Sequence, residues 1–182
     1  MGKETLMIWI TTDTHFGHRN IIKLANRPEN YEELIITNWK AVVSPEDTVI
    51  HLGDVAWGGK YLSIIKELPG QKILVRGNHD PCSLDYYMQR GFNFACDSLT
   101  MRRYGIDMLF THAPRIFHEA DVNIHGHLHS LATIKSCCLH YPIALECNGY
   151  KMIDLDVLVR KELRALVTKN KQEGVEEWEP LD

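Results

Sequence analysis

Five short apolar stretches of this chain are each followed at once by side chains that can bind a metal ion. The stretches are residues 6–12, 48–52, 72–75, 107–111 and 122–124, whose length and composition predict β-strands. The polar groups that follow are, in chain order, Asp13-Thr14-His15, Gly53-Asp54, Gly77-Asn78-His79-Asp80, His112 and Gly126-His127-Leu128-His129. Because the carboxyl ends of strands in an α/β sheet open onto one common edge, we expect these groups to converge there.

Helical patterns separate the early strands. Apolar residues recur at helical spacing over residues 31–43, behind a predicted cap at Asn30 with Glu33 three residues later. Similar patterns cover residues 61–68 and 83–90. Strands that alternate with helices are typical of parallel crossovers, so the first half is predicted to be α/β with a largely parallel sheet.

The second half of the chain predicts a different arrangement. Residues 94–151 are rich in predicted strands, and residues 155–167 form an amphipathic pattern that indicates a last helix. We expect its apolar face to consist of Leu155, Leu158, Val159, Leu163 and Leu166. The chain is therefore predicted to form a mixed α/β layered sandwich.

Length and composition favour one domain. With 182 residues and 45% hydrophobic composition, the chain can close one substantial core, which we place in residues 1–168. Residues 169–182 are charged and poor in apolar side chains, and we expect a loosely held tail. The sequence contains neither a signal-peptide pattern nor a membrane-spanning run, so we expect a soluble cytoplasmic protein.

The net charge and the cysteine content disfavour some classes of protein. A formal net charge of −4 disfavours a surface built chiefly to hold a nucleic-acid backbone, although a local basic patch stays open. The five cysteines contain no Cys-x-x-Cys pair, and an odd number fits no simple disulfide framework. We expect reduced, packed thiols.

The donor atoms after the five strands predict the kind of metal. Asp and Asn oxygens mixed with imidazole nitrogens, without a thiolate, suit manganese, iron or zinc in a reactive site better than a structural zinc. Gly53, Gly77 and Gly126 would permit the tight turns and close backbone approach that such a site needs. The sequence predicts a binding site for divalent metal ions at the sheet edge.

The ordered set D-x-H, G-D, G-N-H-D, H and G-H-x-H resembles that of the calcineurin-like metallophosphoesterases. The resemblance covers residues 6–151, and the segment 13–18 is similar to the opening of a compact bacterial and phage subgroup. It implies a layered α/β/β/α sandwich with mixed sheets, and hydrolysis of phosphomonoesters or phosphodiesters. A small phosphate ester is the expected substrate.

The resemblance also implies the role of each residue. It places one metal ion on Asp13, His15, Asp54 and His129, and the other on Asp54, Asn78, His112 and His127. Asp54 would bridge the ions with its two oxygens, and a hydroxide that bridges them would be the nucleophile. His79 would donate a proton to the leaving group, and Asp80 would orient and charge His79. Hydrolysis would then need no covalent intermediate.

Charge counting supports this chemistry. Two divalent ions bring four positive charges, of which Asp13 and Asp54 neutralise two, whereas Asn78 and the histidines neutralise none. The excess positive charge would attract a phosphate ester and stabilise its equatorial oxygens.

Several polar residues near the motifs could have either a functional or a structural role. Asp80 could cap the helix that follows instead of orienting His79. His18 and Arg19 are candidate substrate contacts, but each could be a surface residue at a helix start. Arg76 and Arg115 could bind phosphate in the same way. The remaining histidines are assigned to packing or support of the site: His51, His118, His125 and His140.

Two functions compete with a phosphoesterase of small substrates. A nuclease should carry a basic groove beside the site, which this acidic chain does not indicate. A non-catalytic scaffold could lose its metal ligands or its proton donor, yet this sequence keeps the seven expected metal ligands and His79. The motifs define chemistry at phosphorus, while substrate choice depends on loops.

Overall fold

In the part of the chain that the structure describes, nine strands in two sheets form the frame. The computed structural model describes residues 6–129 and 138–173. The strands are β1 (Ile8–Thr11), β2 (Thr48–His51), β3 (Gln71–Val75), β4 (Phe94–Cys96), β5 (Leu99–Arg103), β6 (Ile106–Thr111), β7 (Val122–His125), β8 (His140–Pro142) and β9 (Ile153–Asp154). All five strands predicted from apolar stretches are present, with small shifts at their ends.

The first sheet has the order β4-β3-β2-β1-β9. Strands β1 to β4 are parallel neighbours, as their helical connections predict, and β9 runs antiparallel beside β1. The register pairs Thr11 with His51 and His51 with Leu74, so β1, β2 and β3 end level with one another. Their carboxyl ends therefore lie side by side.

The second sheet has the order β5-β6-β7-β8. Strands β6, β7 and β8 are parallel, while β5 and β6 form an antiparallel pair. The predicted fold class, a layered α/β structure with two mixed sheets, is confirmed.

Among the described residues, four α-helices follow the early strands and two more follow β9. They are α1 (Ile21–Leu24), α2 (Tyr31–Val42), α3 (Leu62–Glu67), α4 (Leu84–Met88), α5 (Leu155–Leu158) and α6 (Arg164–Glu173), with 3-10 turns at Gly59–Tyr61 and Leu145–Cys147. Asn30 stands at the N-cap position of α2, as predicted, but its side chain makes no capping hydrogen bond. Ser83 does cap α4, where its hydroxyl accepts a hydrogen bond from the Tyr86 amide.

Two buried apolar clusters lie on opposite faces of the first sheet. One joins that sheet to the helices, with Trp39 of α2 and Ile65 of α3 packed near Val49 and Leu74. The other fills the space between the two sheets and includes the C-terminal helix; its members include Ile10, Ile50, Leu52, Val75, Met108, Phe110, Val122, Ile124, Leu155 and Leu163. Burial on both faces stabilises the sheet and fixes the position of its carboxyl edge.

The C-terminal helix corrects one detail of the predicted apolar face. A π-helical turn at Val159–Leu163 joins α5 to α6. It widens the helical repeat, so Val167 is buried and Leu166 is 39% exposed, opposite to the spacing of an unbroken α-helix. The helix also continues to Glu173, past residue 169 at which the tail was predicted to begin.

The structure also bears on the state of the cysteines and on whether a helix could span a membrane. Cys82, Cys96 and Cys138 are partly buried and form no disulfide bond within the described residues, as expected, whereas Cys147 is exposed and Cys137 falls outside the described residues. In the described ranges, no helix combines the length and apolar character needed to cross a lipid bilayer.

Candidate metal centre

The predicted ligands come together at the carboxyl edge of both sheets. Backbone hydrogen bonds fix the loops to one another: the Asp13 amide donates to the Gly53 carbonyl at 2.9 Å, and the His15 amide donates to the Asp54 carbonyl at 3.0 Å. The two sheets are linked at the same edge, where the His127 amide donates to Asp13 Oδ2 at 2.9 Å. Residues separated by more than a hundred positions thus form one site.

The first group of donors contains Asp13, His15 and His129. Nε2 of His15 lies 3.8 Å from Asp13 Oδ1 and 3.3 Å from Nε2 of His129. The same Asp13 oxygen is 3.7 Å from His129 Nε2. Ligands bound at about 2.0–2.2 Å around one ion lie at separations of this size.

The second group contains Asp54, His112 and His127. Nε2 of His112 lies 3.0 Å from Nδ1 of His127 and 3.4 Å from Asp54 Oδ2. The amide oxygen of Asn78 is 2.7 Å from the same His112 nitrogen. The other His112 nitrogen, Nδ1, donates to the Leu52 carbonyl at 2.8 Å, which leaves Nε2 unprotonated and able to bind a cation.

Asp54 lies between the two groups. Its Oδ2 atom is 3.6 Å from His15 Nε2 in the first group and 3.4 Å from His112 Nε2 in the second. Oδ1 instead accepts a hydrogen bond from the His79 amide at 2.8 Å. A single oxygen therefore faces both groups, where the sequence analysis expected the two oxygens to be divided between them.

The backbone around the site is strained. Positive φ angles of 45° to 69° occur at five of the seven predicted ligands, namely Asp13, His15, Asp54, His127 and His129. Such left-handed conformations are uncommon for residues other than glycine and are retained where the surrounding structure and the function require them. A Cβ added to Gly126 would lie 1.9 Å from Thr12 Oγ1, so glycine is required for this close approach.

Asp13 fits a cation ligand. Its Oδ2 accepts hydrogen bonds from the Thr12 hydroxyl and the His127 amide, whereas the buried Oδ1 has no hydrogen-bond partner. Burial raises the pKa of this carboxyl above its ordinary value. A buried carboxylate oxygen that faces two imidazole nitrogens requires a counter-charge, and a divalent ion would supply it.

The pKa values of the two histidines in the first group are shifted in opposite directions. Burial, together with the positive charge of Arg27, lowers the pKa of His15 well below its usual range, so the ring is a neutral ligand. Burial acts the same way on His129, but its hydrogen bond to Glu146 and the negative charges of Asp13 and Glu146 together outweigh burial and raise the pKa. A metal ion at this position would compete with a proton on His129.

The family model for calcineurin-like phosphoesterases matches residues 6–154. The chain belongs to the calcineurin-like phosphoesterase family. The chain is also 30% identical over 169 residues to the uncharacterized protein MJ1445 of Methanocaldococcus jannaschii, which covers 84% of this chain and 89% of that protein. It is 29% identical over 159 residues to the Gene 66 protein of Mycobacterium phage L5, over 67% of this chain and 77% of the phage protein.

A solved structure shows the same architecture. A protein of unknown function from Aquifex aeolicus, AQ665, is 31% identical and superposes with a TM-score of 0.70 over 89% of this chain and all of that one. This calcineurin-like phosphoesterase therefore shares its fold with the Aquifex protein and is similar in sequence to the archaeal and phage proteins.

Two supporting residues of this phosphoesterase were missed by the sequence analysis. Glu146 lies 3.0 Å from Nδ1 of His129, on the opposite side of the ring from the site. Arg27 is buried, forms a 2.7 Å ion pair with Glu146 and donates to the Asp13 carbonyl at 2.8 Å. Neither residue lies in a ligand motif, and the one available signal was an Arg-Pro pair at a turn.

His79 lies beside the two groups and is not among their mutual contacts. Its Nε2 is 4.0 Å from Asp54 Oδ2, and its side chain is 43% exposed. The ring therefore has access both to the centre of the site and to the neighbouring cavity.

Asp80 does not orient His79, contrary to the sequence analysis. Its Oδ2 accepts hydrogen bonds from the amides of Asp54 at 2.7 Å and Gly77 at 2.9 Å, and its Oδ1 accepts one from Val55 at 3.1 Å. The alternative role as a helix cap is also wrong, because Ser83 caps α4. Asp80 instead fixes the loop that carries Asp54.

The candidate substrate contacts differ in their positions. His18 is buried and stacks on Trp57 with ring centroids 4.0 Å apart, 5.5 Å from the ring of His15. Arg19 is exposed on the turn that follows, and its contact with substrate stays a prediction. Arg76 is held by Asp97 at 2.7 Å, so its charge is partly compensated.

Two cavities flank the centre and meet at Asn78. One, of about 380 Å³, is lined mainly by apolar and aromatic side chains, among them Trp57, His79, Tyr86 and Tyr87. The other, of about 550 Å³, is polar and contains His112 with Arg76 and Arg115. The centre therefore has a distinct environment on each side.

Proposed function

We propose that this protein is a dinuclear metal-dependent phosphoesterase whose preferred substrates are phosphodiesters. The observation that carries the proposal is the position of Asp54 Oδ2, within 3.6 Å of His15 Nε2 and 3.4 Å of His112 Nε2. An oxygen that faces two donor groups is one arrangement in which a carboxylate can bridge two ions. Bound at these groups, two divalent ions such as manganese, iron or zinc would activate water for in-line attack and offset charge on the phosphoryl oxygens.

The residues of the chain would bind the two ions and hold the ligands in place. Asp13, His15 and His129 would hold one ion, and Asn78, His112 and His127 the other, with Asp54 shared between them. Glu146 orients His129 by its hydrogen bond to Nδ1, and Asp80 holds the backbone of Asp54. Such supporting contacts set both the geometry and the basicity of metal ligands.

We assign His79 to protonation of the leaving oxygen. Its ring lies at the border between the centre and the aromatic cavity, and Nε2 is 4.0 Å from the shared carboxylate oxygen. A leaving group seated in that cavity would have its oxygen beside this imidazole. Proton donation at that atom is what an alkoxide or ribose leaving group needs.

The two cavities support a diester as substrate. A phosphorus atom at the centre would carry one substituent toward the aromatic cavity and another toward the polar cavity around Arg115. A monoester would use only one of these spaces. Apart from the proposed acid His79, the first cavity is lined by uncharged side chains, which fits a flat, neutral leaving group.

The test is a substrate panel for the manganese-loaded enzyme. Bis-aryl phosphate, aryl phosphate, cyclic nucleotides and a short oligonucleotide would be compared by kcat/KM, with Asp54→Asn purified in parallel as a control for contaminating enzymes. We expect the diesters to be preferred and the control to be inactive. Equal or faster turnover of aryl phosphate would overturn the diester preference, and no hydrolysis of any ester would overturn the enzyme assignment.

A further inference from the structure

Trp57 and His18 form a stacked pair of rings beside the metal centre, which we call the indole–imidazole stack. The two ring centroids are 4.0 Å apart, and the rings are nearly parallel, with an angle of 8° between their planes. His18 is buried, whereas Trp57 is 49% exposed. Because His18 covers one face of the indole, the exposed surface of Trp57 belongs to the other face and the edges of the ring.

The backbone holds the indole–imidazole stack in place. The Trp57 amide donates a hydrogen bond to the Phe16 carbonyl at 2.8 Å, and Phe16 forms a parallel β-bridge with Ala56. The His18 amide donates to the His15 carbonyl at 3.0 Å. Both rings are thus positioned by the segments that carry metal ligands. The indole is preorganised, which lowers the entropy cost of binding a flat group against it.

The indole lines the aromatic cavity next to the proposed acid. Its ring centroid is 5.3 Å from that of His79, and both side chains line the cavity of about 380 Å³. Pockets that bind small ligands have volumes of about 300–1,000 Å³. A group attached to an oxygen that His79 protonates would therefore extend along Trp57.

Tyr86 forms another wall of the same cavity. A Cβ added to Gly59 would lie 2.3 Å from the Tyr86 hydroxyl oxygen, so the glycine allows this hydroxyl to pack against the turn that follows Trp57. The hydroxyl makes no hydrogen bond to another described residue. It is available to donate to, or accept from, a polar group in the cavity.

The chemistry of the lining favours one class of occupant. The described residues around the cavity include no lysine, arginine, aspartate or glutamate, which disfavours a second phosphate or a carboxylate there. A plain aryl group would leave the Tyr86 hydroxyl unused. A nucleobase combines an aromatic face for Trp57 with polar atoms at its edge, and every base can stack on an aromatic side chain.

We propose that Trp57 determines specificity by stacking on the base of a nucleoside leaving group, and that His18 is the positioning residue behind it. The inference rests on the proposed function and adds the chemical class of the leaving group. Hydrolysis would break the bond between phosphorus and a sugar oxygen of the nucleoside. The hydroxyl of a water molecule would join phosphorus, and the proton lost by that water balances the one that His79 gives to the sugar oxygen.

The first test compares substrates that share the same leaving oxygen. A thymidine dinucleotide and its two analogues that each lack one base would be hydrolysed by the manganese-loaded enzyme, and the products identify the nucleoside that leaves. Removal of the leaving base should lower the wild-type kcat/KM about 5- to 150-fold, as expected for one base stacked on an aromatic side chain. In Trp57→Ala this difference should largely disappear. Equal sensitivity to the base in both enzymes would overturn the proposal.

Matched variants separate stacking from general damage. Phe94→Ala removes an aromatic side chain of similar exposure, 50%, from β4 and should keep the full preference for the base. His18→Phe keeps a flat ring behind the indole and should retain most of the preference, whereas His18→Ala should reduce it. Equal losses in the two His18 variants would contradict the positioning role.

A binding measurement tests the indole–imidazole stack without turnover. In the zinc-loaded protein with isotope-labelled indoles, the Trp57 nuclear magnetic resonance signal is identified by its loss in Trp57→Ala. Thymidine monophosphate should shift this signal, and deoxyribose phosphate at the same saturation should shift it much less. Equal shifts by the two phosphates would overturn base stacking. If the enzyme hydrolyses no ester, the proposed function fails, and this comparison still decides whether Trp57 binds a base.

Discussion

The carboxylate of Glu146 lies 3.0 Å from Nδ1 of His129, whose Nε2 faces Asp13 at 3.7 Å. Glu146 is held in turn by the buried guanidinium of Arg27. One ligand of the proposed centre is thus positioned by an ion pair from two distant segments of the chain. This relationship leads to the first prediction.

Glu146→Gln should weaken metal binding at the first group about 10- to 100-fold, because it removes the charge that orients His129 and makes it more basic. Calorimetric titration with manganese measures the change. Glu67→Gln, an exposed substitution on α3, is the matched control and should bind as wild type. Unchanged affinity in Glu146→Gln would show that this contact does not tune the site.

Asp54→Ala should impair metal binding more than the loss of any single histidine ligand, since Oδ2 of Asp54 faces both groups. Metal analysis after dialysis should show that occupancy of both positions falls, whereas His127→Ala should chiefly affect one. A variant that still binds both ions with wild-type affinity at the centre would exclude Asp54 as the bridge.

Chelation should abolish hydrolysis and lower the melting temperature, because the ions satisfy the unpartnered oxygen of Asp13 and bind only the folded chain. A ligand present at 100 times its Kd stabilises the folded state by about 2.7 kcal/mol. Differential scanning calorimetry before and after chelation measures this effect, and added manganese should restore activity. Activity that survives exhaustive chelation would contradict the metal-dependent mechanism.

Asp80→Asn should act on stability and not on proton transfer. The amide cannot replace both carboxylate oxygens that accept the Asp54, Val55 and Gly77 amides, and each buried donor left unpaired costs about 1–3 kcal/mol. Urea unfolding of the metal-free chain measures the loss. Turnover of nitrophenyl and alkyl esters should fall by the same factor, in contrast to the next variant.

His79→Gln should keep both metal ions and lose activity in proportion to the basicity of the leaving oxygen. Without the acid, alkyl and nucleotide esters should react about 10²- to 10⁴-fold more slowly, while nitrophenyl esters, whose leaving group departs without a proton, should be affected much less. The comparison requires kcat for both ester types and a metal count. Equal losses with the metals intact would instead make His79 a group that stabilises charge on the phosphoryl oxygens.

The sequence by itself determined five of the nine described strands, the order of the ligand motifs and the type of site. Apolar runs followed by Asp, Asn and His are local patterns, and the rule that parallel strands end at one edge converts them into a cluster. The same local information explains why the parallel half of the first sheet could be predicted from alternating strands and helices.

Tertiary structure alone decided how the side chains are used. Glu146 and Arg27 support His129 from segments 119 positions apart, which no local pattern records. Asp80 binds the amides of a neighbouring loop because the close approach of Gly53 and Gly77 brings that loop within reach. The π-helical turn buries Val167 in place of Leu166. These contacts depend on packing between distant elements, whose geometry emerges only when both sheets and the helices are in place.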